Sequence, residues 1–310
     1  MMKAVYMERH GGPEVLRLGE LPDPVASAGQ IVVDIHAASI NGADWKVRDG
    51  SAYATISTFP YILGRDFSGV VSAIGPGVTD YRVGDAVLGV CDVGQEGTYC
   101  EKIAMKAAIC ARKPEGVSHV DAAALALIGL TALVSVEDTL KLQKGETILI
   151  HGGAGGVAGF AIELAKHIGA RVITTASAAN HDYTRKLGAD EVIDYRTQDF
   201  TKVVSDVDCV FDTVGGEVTQ KSFQVLKPGG RAAFIASGAK APVPAARSDV
   251  VSLRPAVGRD RHHLERIMQL HSVGAVHVPE VTLYDLKDAQ EAHKVSQSRH
   301  LRGKLVFKVR

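Results

Sequence analysis

The stretch TILIHGGAGGVAGFAIELAKHI, residues Thr147 to Ile168, decides the fold of this chain. Its first four residues are apolar or β-branched and predict a buried strand, while Gly156 to Ile168 has the apolar spacing of a helix. A glycine-rich turn joins the two. A second predicted strand, Arg171 to Thr175, follows at once, so the stretch reads as a βαβ unit of ordinary length.

The glycine-rich turn carries a GxGxxA pattern at Gly153, Gly155 and Ala158. Small residues at this spacing let the backbone turn tightly, approach a pyrophosphate and pack the helix against the strand. The positive end of the helix then stabilises the anion. A turn without a ligand is the alternative, but the βαβ context favours a dinucleotide site. The residues predicted to line it are Gly153, Ala154, Gly155, Gly156, Val157 and Ala158.

The residues after the second strand bear on which dinucleotide binds. An NAD site usually has an acidic residue there, about 20 residues beyond the glycines, to hold the ribose hydroxyls. Residues 174–180 read TTASAAN and contain no carboxylate to repel a 2′-phosphate. Ser177 and Asn180 can donate hydrogen bonds to that phosphate, and Tyr195 and Arg185 are further candidates. We therefore predict NADPH as the cofactor, although Ser177 and Asn180 are also common helix-capping types.

Strands and helices alternate beyond this unit, which is typical of a doubly wound parallel sheet. The first 120 residues differ, because short strands broken by glycine and proline predict a mostly antiparallel, barrel-like domain. An alanine- and leucine-rich run, Ala122 to Leu140, predicts one or two buried helices. The strand Lys304 to Val309 needs a sheet to complete, so we expect it to return to the first domain. The predicted division is residues 1–122 with 261–310, and residues 123–260.

The composition bears on partners and location. Because 35 basic residues balance 35 acidic ones, no net charge would attract nucleic acid or an anionic membrane as the main partner. No apolar run reaches the roughly 20 residues of a membrane span, and residues 1–29 lack the features of a secretory signal. We expect a cytoplasmic protein with reduced cysteines and a neutral small-molecule substrate.

Several motifs together resemble one protein family. They are Asn41 to Lys46, Leu63 to Gly69, Val83 to Asp85, Gly129 to Ala132, His151 to Val157, Leu187 to Asp190 and Gly303 to Leu305. In order and spacing the chain resembles the zinc-independent quinone oxidoreductases of the medium-chain dehydrogenase/reductase superfamily, the group that includes ζ-crystallin-like proteins. The resemblance implies a GroES-like catalytic domain formed by both chain ends and an inserted Rossmann domain. It also places Thr131 against the nicotinamide and Lys304 among the cofactor-binding residues, and we expect a homodimer.

Zinc-binding members of the superfamily supply a catalytic ion with ligands at four positions. Those positions hold Asn41, Arg65, Asp66 and approximately Leu127 in this chain. Three of these residue types cannot bind zinc, and one carboxylate cannot complete the shell that the ion prefers. Without a Lewis acid, oxidation of an alcohol is disfavoured, whereas reduction of an electron-poor acceptor remains feasible.

Reduction of a quinone or an α,β-unsaturated carbonyl compound places negative charge on the acceptor oxygen, so the site needs donors aimed at that oxygen. The resemblance implies Lys46 and Tyr53 as these donors, with Asn41 ordering the nicotinamide or the acceptor. Tyr61 competes with Tyr53, and Lys46 could instead be a solvated surface charge. We predict an NADPH-dependent, zinc-independent reductase of quinones or enones. The alternatives are an enoyl or alkenal reductase and a cofactor-binding protein with a structural or RNA-binding role.

Overall fold

The computed structural model of the chain describes residues 1–51, 56, 58–92, 94–236 and 241–310, which divide into two units. Unit 1 contains residues 1–127, 258–269 and 280–310, and unit 2 contains residues 128–257 and 270–279. The sequence-based division instead gives residues 261–310 entirely to the first domain. The boundary at residue 270 falls inside a helix, Arg261–Ser272, where the sequence has no local signal of a division.

Unit 1 consists mainly of β-strands, as predicted. Its elements up to the division are β1 (Met2–Met7), β2 (Arg17–Leu21), β3 (Gln30–Ile40), α1 (Gly42–Asp49), β4 (Tyr61–Ile62), β5 (Asp66–Ile74), β6 (Ala86–Val90), β7 (Lys102–Lys106), β8 (Cys110–Arg112) and the start of α2 (His119–Leu133). Several of these strands, β3, β5 and β6 among them, are buried along consecutive residues, so both of their faces are largely covered.

Unit 2 contains the alternating strands and helices predicted from the glycine-rich stretch. Its elements are β9 (Thr147–His151), α3 (Gly156–Ile168), β10 (Arg171–Ala176), α4 (His181–Lys186), β11 (Glu191–Asp194), β12 (Val207–Asp212), α5 (Glu217–Ser222), β13 (Leu226–Phe234) and β14 (Val251–Leu253). The six strands form one parallel sheet in the order β11-β10-β9-β12-β13-β14. The predicted doubly wound sheet is confirmed.

The remaining elements carry the chain back to unit 1. They are α6 (Arg261–Ser272), β15 (Val281–Tyr284), α7 (Ala289–Gln297) and β16 (Lys304–Lys308). β16 pairs antiparallel with β3, with Leu305 opposite Ile40. It thereby joins a sheet in the order β15-β16-β3-β5-β6-β8, to which β7 adds by pairing with β3, while β2, β1 and β4 form a separate three-stranded sheet. The return of the last strand to the first domain, predicted from its alternation, is confirmed.

The helix α2 is the most apolar element described. It continues as a π-helical turn, Val134–Thr139, so the alanine- and leucine-rich run forms one continuous helical segment. By length and composition alone, His119–Thr139 could cross a membrane, but 72% of its most apolar stretch is buried inside the protein. The core helix of a globular domain has the same properties.

Candidate functional site

The strand order in the sheet of unit 2 reverses at β9. The chain runs from β9 through β10 to β11 on one side and then continues with β12, β13 and β14 on the other. The loops that follow β9 and β12 therefore diverge at the carboxyl edge of the sheet. In open α/β sheets, such a switch point is where ligands bind.

The turn between β9 and α3 accepts only glycine at two adjacent positions. Gly152 has a φ of +79°, and a Cβ atom there would lie 3.0 Å from both Thr213 Oγ1 and Val214 Cγ2. A Cβ atom on Gly153 would lie 2.3 Å from Thr174 Oγ1, far inside contact distance. The backbone of the turn thus sits directly against the neighbouring strands, with no room for a side chain beneath it.

Three hydrogen bonds from neighbouring segments fix this turn. Gly152 N donates to Thr175 Oγ1 at 3.1 Å, and Gly153 N donates to Thr175 O at 3.0 Å. Thr213 Oγ1, just after β12, donates to His151 O at 2.7 Å. Neither threonine was predicted to be part of the site. Thr175 is the last residue but one of β10, and Thr213 directly follows β12. A threonine at the end of each neighbouring strand was the sequence signal that could have identified them.

The first turn of α3 presents its backbone to the open side of the site. Gly155 is the N-cap residue in extended conformation, and residues 154–157 are partly exposed, whereas Gly153 and Ala158 are buried. The first amides of a helix lack intrahelical acceptors. Together with the helix dipole they form a ready anion site, so the structure brings the predicted pyrophosphate-binding residues together in a suitable arrangement.

His151 lies under the turn and stays neutral. Its ring is buried, with Nε2 3.1 Å from Ser222 Oγ and Nδ1 3.3 Å from Thr175 Oγ1. Burial lowers the pKa of His151 to about 4, although the nearby carboxylate of Asp212 opposes the shift. The neutral imidazole therefore adds no positive charge beside the predicted pyrophosphate site.

The predicted 2′-phosphate residues come together at the ends of β10 and β11. These strands pair with Ala176 opposite Asp194, so Ser177 and Tyr195 each lie one residue beyond the pair. Asn180 Nδ2 donates to Ser177 Oγ at 3.1 Å, and neither residue makes a side-chain capping bond. Tyr195 is 52% exposed. Ser177 and Asn180 thus stand at helix N-cap positions without a side-chain capping bond, and their contact with a 2′-phosphate stays a prediction.

Three other predicted residues have different surroundings. Thr131 is partly exposed on α2 within unit 2, and Arg185 pairs with Asp182 on α4 at 3.6 Å. Lys304 belongs to unit 1, where its buried Nζ donates to Ile40 O at 2.9 Å and to Asn41 Oδ1 at 2.5 Å. Direct contact between Lys304 and the cofactor stays a prediction, and the ammonium already has two acceptors inside unit 1.

In unit 1, Lys46 lies on α1 and is half-buried. Its Nζ lies 5.6 Å from the centre of the Trp45 ring. Burial lowers the pKa of Lys46, and the positive charge of Arg299 lowers it further, while Asp49 opposes both. Among the described residues no carboxylate forms an ion pair with Lys46, so its ammonium remains available as a donor.

Asn41 immediately precedes α1, and both ends of its side-chain amide are engaged. Oδ1 accepts from Lys304, and Nδ2 donates to Asp66 Oδ1 at 2.7 Å. Asp66 also accepts from Ser39 Oγ at 2.7 Å and from Leu127 N at 3.1 Å. Asn41, Asp66 and Leu127 thus meet in the structure. These bonds hold the Asn41 amide in place, and its role in ordering the nicotinamide or the acceptor stays a prediction.

Arg65 is the remaining residue at the four positions where zinc-binding members have their ligands, and it pairs with two acidic residues. Its Nη2 lies 2.6 Å from Glu96 Oε1, and its Nε lies 3.5 Å from Asp44 Oδ1. Asp44 also accepts from Tyr99 Oη at 2.6 Å and from Asn41 N at 2.8 Å. Burial raises the pKa of Glu96 to about 8, although Arg65 opposes this. Burial likewise raises the pKa of Asp44.

The two tyrosine candidates differ in what can be said of them. Tyr53 lies outside the described residues. Tyr61 is partly buried on β4, and burial, together with the nearby Glu96 carboxyl, raises its pKa. Within the part of the chain that the structure describes, no three His, Cys, Asp or Glu side chains cluster as a metal site would require.

Comparisons with known proteins agree with this architecture. Residues 27–115 match the alcohol dehydrogenase GroES-like domain, and residues 187–307 match the zinc-binding dehydrogenase family. The curated 2-haloacrylate reductase of a Burkholderia species is 30% identical over 331 residues, which cover 99% of both chains. Other relatives are much longer: the chain spans 14% of a mycocerosic acid synthase-like polyketide synthase from Mycobacterium tuberculosis, to which it is 32% identical.

Two solved structures match along nearly the whole chain. The quinone oxidoreductase of Coxiella burnetii superposes with a TM-score of 0.93 at 34% identity, covering 100% of this chain and 99% of that one. The Escherichia coli quinone oxidoreductase complexed with NADPH gives 0.89 at 29% identity, covering 99% and 100%. The predicted family, fold and enzyme class are thereby confirmed: the chain is an oxidoreductase of the medium-chain dehydrogenase/reductase superfamily and belongs to its quinone oxidoreductase-like group.

Proposed function

We propose that this enzyme reduces quinones or α,β-unsaturated carbonyl compounds with hydride from NADPH and without a metal ion. The observation that carries the proposal is the contact between Asn41 and Asp66, 2.7 Å long. It places an internal hydrogen bond where zinc-binding members hold their ion. A site without a Lewis acid is suited to an acceptor that is already electron-poor.

The donor set at these positions does not fit zinc. Structural and catalytic zinc sites use sulfur, imidazole and carboxylate ligands, whereas here an amide, a guanidinium and a leucine accompany one carboxylate. That carboxylate, Asp66, already accepts hydrogen bonds from Ser39, Asn41 and the amide of Leu127. Its oxygen lone pairs are therefore directed at protein donors. The resemblance to the zinc-binding dehydrogenase family accordingly concerns the fold and does not extend to the metal.

The residues of unit 2 fit NADPH. The turn at Gly152 and Gly153 leaves no room for a Cβ atom, and the first turn of α3 offers amides for the pyrophosphate. Ser177, Asn180 and Tyr195 surround the end of β10, where an NAD enzyme would present an acid. When bound, NADPH supplies the hydride and leaves as NADP⁺. The E. coli relative solved with NADPH supports the same choice here.

Lys46 provides the charge that the reaction needs in unit 1. As hydride reaches the acceptor carbon, negative charge develops on its oxygen, and an oriented donor stabilises that charge. The ammonium of Lys46 is half-buried on α1, with no carboxylate partner among the described residues. We therefore assign Lys46 as the donor to this oxygen. Tyr53 remains the second candidate.

The acceptor class has two candidates that this site serves equally. The solved relatives are named quinone oxidoreductases, and the relative that matches over nearly its whole length is named for 2-haloacrylate, which contains a carbon–carbon double bond beside a carboxylate. NADPH oxidation should therefore be measured with a panel of quinones, enones, alkenals and haloacrylates. Activity confined to simple alcohols with NADP⁺, or one bound zinc per chain, would contradict the proposal.

Lys46→Ala tests the donor assignment. Removal of one oriented donor should slow single-turnover hydride transfer by about 10- to 1000-fold, while the Kd for NADPH changes little, since the pyrophosphate is held in unit 2. Lys3→Ala is the matched control, because Lys3 is an exposed lysine of the same unit. A Lys46→Ala variant with a wild-type hydride-transfer rate would remove Lys46 from the mechanism and leave Tyr53.

A further inference from the structure

Lys304 is the most completely buried lysine that the structure describes, with 4% of its surface exposed. It begins β16, and the pairing of β16 with β3 places it beside the end of β3. Its two acceptors, Ile40 O and Asn41 Oδ1, are both neutral. Burying an ammonium against neutral dipoles costs several kcal/mol unless a negative charge lies close by. The burial therefore calls for a compensating anion.

Asp66 supplies that anion through one intervening amide. Asn41 accepts from Lys304 with Oδ1 and donates to Asp66 with Nδ2, so its dipole is aligned between the cation and the carboxylate. Asp66 is fully buried. Burial lowers the pKa of Lys304, and the negative charges of Asp66 and Asp44 oppose that shift. Lys304, Asn41 and Asp66 thus form a hydrogen-bonded triad of ammonium, amide and carboxylate.

This triad lies at the positions that correspond to the zinc ligands of zinc-binding members. Asn41, Asp66 and Leu127 stand at three of the four ligand positions. Asn41 and the backbone N of Leu127 both donate to the carboxylate of Asp66. Arg65, at the fourth, makes separate contacts with the carboxyl groups of Glu96 and Asp44. The cation at these positions is thus the ammonium group of Lys304, a side chain of the protein itself.

We propose that Lys304 is the internal cation that replaces the metal at this place, and that it acts as a positioning residue through Asn41. Asn41 is the last residue before α1 and is held from two sides: its side chain by Lys304 and Asp66, and its backbone N by Asp44. The direction of α1, and with it the place of Lys46, depends on this anchor. The catalytic consequence rests on the proposed role of Lys46, whereas the pairing of Lys304 with Asp66 does not.

The pairing is tested by a double-mutant cycle on the free energy of unfolding. Lys304→Met leaves Asp66 as an uncompensated buried charge and should raise the unfolding equilibrium constant by about 100-fold or more, as when one partner of a buried pair is removed. Adding Asp66→Asn removes the second charge. The double variant should then be at least tenfold less destabilised than the product of the two single effects predicts.

Lys308→Met is the matched control, since Lys308 is an exposed lysine on the same strand; its unfolding constant should stay close to wild type. If Lys304→Met does not fold but the double variant does, the compensation is supported. If both fail while Asp66→Asn alone folds, or if the two effects simply multiply, the proposed pairing is wrong.

The positioning role has its own readout. In Lys304→Met, single-turnover hydride transfer should slow by about tenfold or more at saturating NADPH, a condition under which a change in cofactor affinity does not affect the measured rate. Lys304→Arg, which keeps the charge, should recover part of the rate. A folded Lys304→Met variant with a wild-type rate would refute the positioning role. If Lys46→Ala also leaves the rate unchanged, the proposed donor is at fault, and the unfolding cycle still decides the pairing.

Discussion

Gly153→Ala should damage both the stability of unit 2 and its affinity for NADPH. The new Cβ atom would lie 2.3 Å from Thr174 Oγ1 and 3.0 Å from Thr174 Cγ2. Ordinary contact begins near 3.4 Å, so the turn or Thr174 must move by about 1 Å in a close-packed interior. Thr174 cannot move freely, because it is fully buried and donates to Ile150 O at 2.6 Å.

The expected cost follows from these contacts. Overpacking of this kind costs about 1–3 kcal/mol, and a lost internal hydrogen bond adds about 0.5–1.5 kcal/mol, so the free energy of unfolding should fall by about 2–4 kcal/mol. The displaced turn would also misalign the amides at the start of α3. Because hydrogen bonds to charged groups contribute about 1.5–3 kcal/mol each, the Kd for NADPH should rise at least about tenfold.

Urea unfolding and titration of NADPH binding measure the two effects. Gly258→Ala is the control, since a Cβ atom there meets nothing within 4 Å and the residue has no left-handed backbone. Thr174→Ala should relieve the clash, so the double variant should be scarcely less stable than Thr174→Ala alone. Wild-type stability and affinity in Gly153→Ala, or strictly additive effects in the double variant, would refute the steric reasoning.

Three further predictions concern the cofactor and the buried titratable groups. NADPH should bind at least about tenfold more tightly than NADH, because donors such as Ser177 and Asn180 replace an acid at the end of β10; equal Kd values in a fluorescence titration would contradict this. The folded state raises the pKa of Glu96 from 4.5 to about 8, so its contribution to stability is present below pH 4.5 and is lost as the pH rises through 8. Glu96→Gln should flatten the fall in Tm across that window, and an unchanged slope would count against it. The folded state lowers the pKa of His151 from 6.5 to about 4, so its contribution is present above pH 6.5 and is lost as the pH falls towards 4; His151→Gln should reduce the acid-side loss of Tm, which thermal unfolding at pH 7 and pH 5 would show.

The parts of the molecule that follow local rules could be read from the sequence. The turn at Gly153 and the helix Gly156–Ile168 lie within one βαβ unit, where residue size and apolar spacing specify the conformation. The return of β16 to the first domain was also predictable, because its alternating apolar residues needed a sheet. These features depend on neighbours in the chain or on a single periodicity.

The contacts that tune the site could not be predicted in the same way. The partners of Lys304 depend on strand register across 264 residues, and no local pattern specifies that register. The same holds for the pairing of Arg65 with Glu96, which joins the start of β5 to the loop after β6. Asn41 was assigned by resemblance alone, and the sequence did not indicate that its amide contacts both Lys304 and Asp66.

The place of β16 between β15 and β3 also affects how the chain must be made. Ile40 and Lys304 are separated by 264 positions, which a ribosome adding about 5–20 residues per second covers in roughly 10–50 s. During that interval the end of β3, residues 37–40, lacks its partner strand and leaves an open edge, a common starting point for aggregation. Most of unit 2, residues 128–257, is continuous and can fold meanwhile. Slow synthesis or a missing β16 should therefore give nascent chains in which unit 2 is folded while unit 1 is incomplete and prone to aggregate.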